Sequence, residues 1–448
     1  MRLRYAVLLL ATLGAGGCDF DQSTNPNSPD PIGDDPSRAQ IAASAIGVLL
    51  AFRQDVADFA LDLGIVGREV LRFDGSDPRF TRELLVGPLD PGGDAFGGDH
   101  WADQYNAILA GNRLLAALPT ASELSDAEKA ATAGYVRTLQ AYNFLMVLAA
   151  HTQDSIPIDV GVDPDAPPAP FVSNAAAYDH VVSLLEQAKT DLQNGGAAFP
   201  FSLPPGFAGF DTPPTFLQFN RALRARVAVY RGDYSGALAA LAESFLVLDP
   251  GQLQRGVYMD YGTGAGDLPN PLAVSPTEGE NFAHPQLDTL AQLQADGVSK
   301  DRRFLTKVVT RTATTVDGFT SYLGWSRYPS PTTPIPLIKN EELILLRAEA
   351  NIGLNDLPAA LADINFVREH SGGLAPLGGF ADQDAAIDEL LYNRLFSLAF
   401  EGAHRWIDLR RHNRLSVPPL PSSRDPAEGT ESFFSTLPIP RDEVLARQ

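Results

Sequence analysis

Through most of the chain, apolar residues recur at three- and four-residue intervals, the spacing of one helix face. "AQIAASAIGVLLAFRQDVADFALDLG" (39–64) carries this pattern over its whole length. "HWADQYNAILAGNRLLAALP" (100–119) places Trp101, Tyr105, Ile108, Asn112 and Leu115 on one face. "SDAEKAATAGYVRTLQAYNFLMVLAAH" (125–151) begins with Ser125 and has Glu128 three residues on, which predicts a capping box. "NAAAYDHVVSLLEQAKTDLQNGG" (174–196) ends on glycine, as a helix C-terminus often does.

One helical unit occurs twice. "RARVAVYRGDYSGALAAL" (224–241) and "RAEANIGLNDLPAALADI" (347–364) align without a gap at an offset of 123. Each reads as helix, short turn at Gly232-Asp233 or Asn355-Asp356, then helix. Ala225, Ala237, Ala348 and Ala360 allow close helix approach, and Leu241 and Ile364 fill the space between. This is the tetratricopeptide pattern. Such units need stacked neighbours, and the helical hairpins 38–117 and 126–194 are the candidates to supply them. The fold class is therefore mostly α, built from tetratricopeptide-like hairpins.

The texture changes over about 250–336, which is rich in Gly, Pro, Thr and aromatic residues. Within it "FLTKVVTRTATTV" (304–316) alternates enough to predict a strand or hairpin, and "FTSYLGWSRYPSPTTP" (319–334) reads as a polar, Pro-rich loop. Two further stretches, "DPDAPPAPF" and "FPFSLPPGFAGFDTPP", read as ordered surface loops.

Composition narrows the function. The chain has 448 residues, 44% apolar and 20% charged, with 34 Lys plus Arg against 55 Asp plus Glu and a net charge of −21. That charge repels nucleic acid and anionic membrane surfaces. The N-terminus, "MRLRYAVLLLATLGAGGC", has two arginines, an apolar run too short to span a bilayer, and small residues before Cys18, the only cysteine. It predicts a signal peptide over 1–17 and a lipid anchor on Cys18, followed by a flexible tether over 18–37.

Catalytic signatures are missing. The seven histidines are scattered without metal-ligand spacing, and no nucleophile elbow, Walker loop or zincin motif occurs. "GTGAGD" (262–267) neither follows a clear strand nor opens a helix, so it reads as a turn. The expectation is a protein that is not an enzyme and uses no cofactor or metal. "EGAHRWIDLRR" (401–411) concentrates charge around one tryptophan. Helical spacing would pair Glu401 with Arg405, and Asp408 with Arg411 and His412, turning Trp406 and Leu409 into the core. A structural role is expected there.

Several motifs then fall in one order along the chain: Cys18 with "TNPNSP", W-x3-Y-x2-I-x3-N at 101–112, "PLIKNEELILLRAEA" at 336–350, "AFEGAHRWIDLRR", and "LPIPRDEV" near the C-terminus. Together they resemble the SusD/RagB family of outer-membrane nutrient-binding lipoproteins. Lys339 stands where that family usually has Arg, and Asn393 where an acidic residue commonly precedes the helix Arg, here Arg394. The resemblance implies one helical domain over 38–448, lipid-anchored at the outer membrane and exposed on the cell surface. It also implies a partner, a SusC-like TonB-dependent β-barrel transporter over which the lipoprotein sits as a lid. The implied ligand is an oligosaccharide, with a peptide as the alternative. A tetratricopeptide scaffold of envelope assembly is a competing class.

In similar proteins the ligand surface is formed by the loop after the first long helix and by loops between later hairpins, here 72–100 and 255–330. The first supplies Asp74, Arg79 and Phe96; the second supplies Tyr261, Tyr322, Trp325 and Tyr328. Trp325 lies outside any helical motif with tyrosines three residues to either side. It is either a stacking platform for a sugar ring or a residue that packs its loop onto the body.

Overall fold

The computed structural model describes residues 32–92, 96–151, 155–163, 166–415, 424–425, 427 and 431–448. The signal peptide, Cys18 and most of the tether lie outside the described residues. At the end of the tether, Asp35 accepts from the Ser122 amide at 2.9 Å, so the chain already touches the body there.

Ten longer helices are numbered here in chain order: α1 (Arg38–Val66), α2 (Ala102–Ala117), α3 (Asp126–Ala150), α4 (Asn174–Asn194), α5 (Pro213–Tyr230), α6 (Tyr234–Ala242), α7 (Asn340–Gly353), α8 (Leu357–Val367), α9 (Gln383–Ser397) and α10 (His404–Arg411). Local chemistry explains their starts. Ser37 and Gln40 form a capping box on α1, and Ser125 and Glu128 form the expected one on α3. Gly195 closes α4.

The repeat holds at the level of the backbone. α5–α6 and α7–α8 turn through Gly232 (φ 73°) and Asn355 (φ 62°), which are equivalent positions. The next residue caps the second helix in each unit: Asp233 accepts from Gly236 N at 2.9 Å, and Asp356 from Ala359 N at 3.1 Å. Ala225, Ala237, Ala348 and Ala360 are fully buried. The two units, far apart in sequence, are neighbours in space. α6 packs on α7, where the Tyr234 ring lies so close to Gly353 that a Cβ there would enter it. On the other side α5 meets α4, α4 meets α3, and α2 packs against both α3 and α1. The hairpins 38–117 and 126–194 thus supply the neighbours that two isolated units lack. Among the described residues no helix is long and apolar enough to cross a membrane.

The loop-rich segment holds most of the strands. β1 (Val70–Arg72), β5 (Asn281–Ala283), β7 (Phe319–Trp325) and β6 (Val308–Val316) form an antiparallel sheet in the order β1-β5-β7-β6. Val70 faces Ala283, Phe282 faces Gly324, and Val308 faces Trp325. β2 (Ile156–Pro157) pairs with β3 (Phe171–Val172), and β4 (Gly256–Met259) with β8 (Ile335–Lys339). The expected hairpin is β6–β7, closed by Asp317-Gly318 with φ of 47° and 81°, a two-residue turn with both central residues left-handed. The expected loop at 319–334 is therefore corrected: its first half is β7. The Asp-Gly turn sets a strand register that buries Phe319, Ser321, Leu323 and Trp325.

The charged cluster is structural, with different partners from those predicted. Phe400 and Ala403 have φ of 58° and 62°, so the chain turns sharply and α10 begins only at His404. Glu401 is therefore off the helix and cannot meet Arg405 at i+4. It pairs instead with Lys339 at 2.7 Å, Arg327 at 2.9 Å and Lys307 at 3.1 Å. These three cations hold its carboxyl below the usual range against the opposing effect of burial. Asp408 pairs with Arg411 at 3.0 Å as expected, and also with Arg394 at 2.5 Å. His412 turns to Glu349 at 3.1 Å rather than to the Asp408 side chain. Trp406 and Leu409 are buried, as predicted. Lys339 fills the position where Arg was expected, and Asn393 accepts from Arg303 at 3.0 Å.

Candidate functional site

From Asp55 to its end α1 is apolar except for Asp55, Asp58 and Asp62, which share one face at i, i+3 and i+7. Asp55 and Asp62 are buried, while Asp58 is exposed. Against them packs His100, held at φ 62° just before α2. Its Nδ1 lies 2.7 Å from Asp55 Oδ1 and its Nε2 lies 3.6 Å from Asp62 Oδ2. Gln104 Nε2 donates to the other Asp55 oxygen at 2.6 Å. Burial alone would push His100 down, but Asp55, with Asp62 behind it, outweighs burial and raises it to about 9. Burial drives Asp62 well above the usual carboxylate range.

The loop after β1 lies alongside. Asp74 accepts from Ser76 N and Oγ at 2.8 and 2.6 Å and from Arg72 at 2.9 Å. The Ser76 hydroxyl and Arg72 hold it below the usual range. Arg72 also reaches Glu280 at 3.0 Å. Arg79 pairs with Asp77 at 2.7 Å and lies over the Phe96 ring at 5.2 Å. Arg72 lies over Phe80 at 4.7 Å, and Phe80 meets Phe96 at 4.7 Å. Guanidinium and aromatic groups thus alternate along this edge. Asp58 feels both Arg72 and Asp99, and Asp99 feels Arg79, so the loop and α1 share one electrostatic surface.

Tyr261 joins it from the other segment. Its ring lies in the field of Asp58 and Asp55, Arg53 sits 5.9 Å from its centre, and its buried hydroxyl has no hydrogen-bond partner. Arg53 in turn pairs with Asp267 at 2.7 Å, at the edge of the exposed 262–269 turn.

The structure therefore brings Asp74, Arg79, Phe96 and Tyr261 to one face and leaves three predicted residues away from it. Trp325 is only 4% exposed, with its ring 5.2 Å from Phe400. Tyr328 is equally buried and donates to the Phe400 carbonyl at 2.6 Å. Both are packing residues, so the platform reading of Trp325 is corrected: no sugar ring can lie on a face that Phe400 covers. Tyr322 is exposed on β7 but donates to Asp288, on the side held by Lys300. Phe96 and Tyr261 are mostly buried as well, so the face is more polar than stacking would require. Sequence reasoning missed Asp58, Asp99, Asp103, His100, Arg53 and Arg72. The three-acid spacing on an otherwise apolar stretch of α1 was the available signal. Among the described residues, no three His, Cys, Asp or Glu side chains converge to hold a metal ion.

Comparison with known proteins agrees with this architecture. Residues 311–434 match the model of the SusD family, SusD_RagB. A SusD superfamily protein from Bacteroides vulgatus superposes with a TM-score of 0.69 at 15% identity, covering 91% of this chain and 97% of that one. A laminarin-binding SusD-like protein gives 0.66 at 17% identity, covering 92% and 98%. NanU of B. fragilis gives 0.65 at 15% identity, covering 92% and 95%. No curated protein sequence matches the chain. The chain is thus SusD-like, by sequence over 311–434 and by fold over nine-tenths of its length.

Proposed function

We propose that this chain is a cell-surface lipoprotein, anchored through Cys18 at the outer membrane, that captures oligosaccharides and passes them to a SusC-like TonB-dependent β-barrel transporter. The observation that carries the reading is the meeting of two loops distant in sequence, 72–100 and 255–269, on one face of α1. There Arg79, Asp74 and Asp58 offer charge-assisted hydrogen bonds of the kind sugar hydroxyls accept and donate. The laminarin-binding relative of the same fold supports a carbohydrate ligand.

Calorimetric titration with a panel of oligosaccharides and short peptides tests this. An oligosaccharide should bind, and Arg79→Ala should weaken it about tenfold, the loss of one charge-assisted hydrogen bond. Binding of peptides alone, or oligosaccharide binding indifferent to Arg79, would contradict the reading.

A further inference from the structure

Beside this face, a turn runs between two fixed points and is held to the body by one contact. Tyr261, 8% exposed, precedes it, and Asn270, 3% exposed, follows it. Asn270 is pinned by its backbone N on the Pro331 carbonyl at 2.8 Å and by its Nδ2 on the Thr333 carbonyl at 2.7 Å. Residues 263–269 between them are all exposed. The turn is tied to itself, Gly262 N donating to the Leu268 carbonyl at 3.0 Å and Asp267 N to the Gly264 carbonyl at 3.1 Å. Among the described residues, the hydrogen bonds and ion pairs of 262–269 reach the body at one place, where Arg53 Nη1 donates to Asp267 Oδ1 at 2.7 Å.

The two partners differ in character. The Arg53 side chain is 10% exposed and the Asp267 side chain 42%. Nη1 makes both contacts of the guanidinium, the second with the Asp260 carbonyl at 3.3 Å, while Nε is buried without a partner. The guanidinium carbon lies 5.9 Å from the centre of the Tyr261 ring, whose hydroxyl is also unpartnered. An exposed carboxylate thus holds a nearly buried guanidinium that has donors to spare. A Cβ on Gly262 would fall 2.2 Å from Asp267 Oδ2, so this glycine admits the carboxylate. A surface pair of this kind is weak, which lets it give way to a competitor.

We propose that Arg53 is a ligand-binding residue that the free chain keeps occupied with Asp267, so that 262–269 is a lid latched by a stand-in for the ligand. A hydroxyl oxygen of the incoming sugar takes the place of Asp267 on Arg53, and the turn moves as a unit between its anchors at Tyr261 and Asn270. The inference rests on the carbohydrate-binding reading above. A ligand that needs Arg53 binds only the unlatched fraction, so the latch lowers its apparent affinity by the factor that it holds shut. With Asp267 as exposed as it is, that factor is about threefold to fivefold.

The test is calorimetric titration of the full chain with cellohexaose, maltohexaose and xylohexaose, all uncharged. Asp267→Asn removes the charge and keeps an oxygen for the Leu268 amide, so the turn stays formed. It should bind the preferred hexasaccharide about threefold to fivefold more tightly than the wild type. Arg53→Gln should weaken binding about tenfold, and adding Asp267→Asn to it should then gain nothing. Salt screens the latch but not an uncharged sugar, so raising it should tighten wild-type binding toward that of Asp267→Asn and leave the variant unchanged. Unchanged or weaker binding by Asp267→Asn, or the same gain in the Arg53→Gln background, overturns the proposal. If a hexasaccharide binds and Arg79→Ala weakens it while Asp267→Asn has no effect, the carbohydrate reading stands and only the latch falls. If none of the three binds the wild type or Asp267→Asn, both fall.

Discussion

Arg394 on α9 donates to Asp408 on α10 across 2.5 Å, and both side chains are buried. Arg411 holds the other Asp408 oxygen and passes on to Glu349 on α7 at 2.8 Å. One carboxylate therefore ties the last helices to the second repeat unit. Removing it strands the Arg394 guanidinium in the core, while Arg411 keeps only Glu349. Asp408→Ala should cost about 3–5 kcal/mol of stability, the usual cost of breaking a buried pair. Urea denaturation measures this, and a loss below 1 kcal/mol would mean that the core readily solvates Arg394.

The packing of the repeats makes a separate prediction. Gly353 has no room for a Cβ because Tyr234 fills the space. Gly353→Ala should destabilise by about 1–3 kcal/mol through overpacking, even though alanine favours helix. Adding Tyr234→Ala should recover part of that loss. A double-mutant cycle with no coupling would show that the two units do not lock there.

Four buried histidines should give the stability a maximum near neutral pH. His100 is raised to about 9 in the folded chain, against about 6.5 when unfolded. Its contribution, about 2–4 kcal/mol, is full below about 6.5 and is lost as pH rises toward 9. His151 and His404, lowered by burial to about 4, and His284, lowered to about 3, act in the opposite sense. Their contributions are full above about 6.5 and are lost as pH falls. Glu69, raised by burial to about 8, adds to the alkaline loss. Urea midpoints followed from acid to alkaline pH should peak near neutrality, and His100→Asn should flatten the alkaline limb. An unchanged limb would remove His100 from the account.

Trp325 and Tyr328 belong to the core and should behave so. Trp325→Ala should cost about 3–5 kcal/mol by cavity formation, and Tyr328→Phe about 1 kcal/mol for the hydrogen bond to Phe400. Melting curves should fall accordingly while ligand affinity in the folded protein stays unchanged. Lost affinity at normal stability would return Trp325 to the binding surface.

These outcomes mark how far the sequence could be read. The helices, the Ser125–Glu128 capping box and the repeat were legible because periodicity and caps are local signals. The side-by-side stacking of the repeats was not, since nothing in residues 242–339 announces that the chain returns to the same place. The partners of Glu401 were misread because left-handed turns at Phe400 and Ala403 break the helix, and neither residue type signals one. The β6–β7 hairpin was half legible: alternation over 304–316 announced the first strand, but a proline-rich context hid the strand after it. In the candidate site, Asp74, Arg79, Phe96 and Tyr261 were named from the loops to which the family resemblance points. Asp58 and Asp103 were not, because an exposed acid on a helix is ordinarily a solvated one, and Asp99 sits in a loop that no pattern marks.

Hydrogen exchange with and without a saturating oligosaccharide tests the central claim, that ligand sits on the α1 face. Protection should appear over 72–100 and 255–269 and along the second half of α1, with little change across β6 and β7. Protection confined to the β6–β7 hairpin around Tyr322, with the 72–100 loop unaffected, would contradict the account.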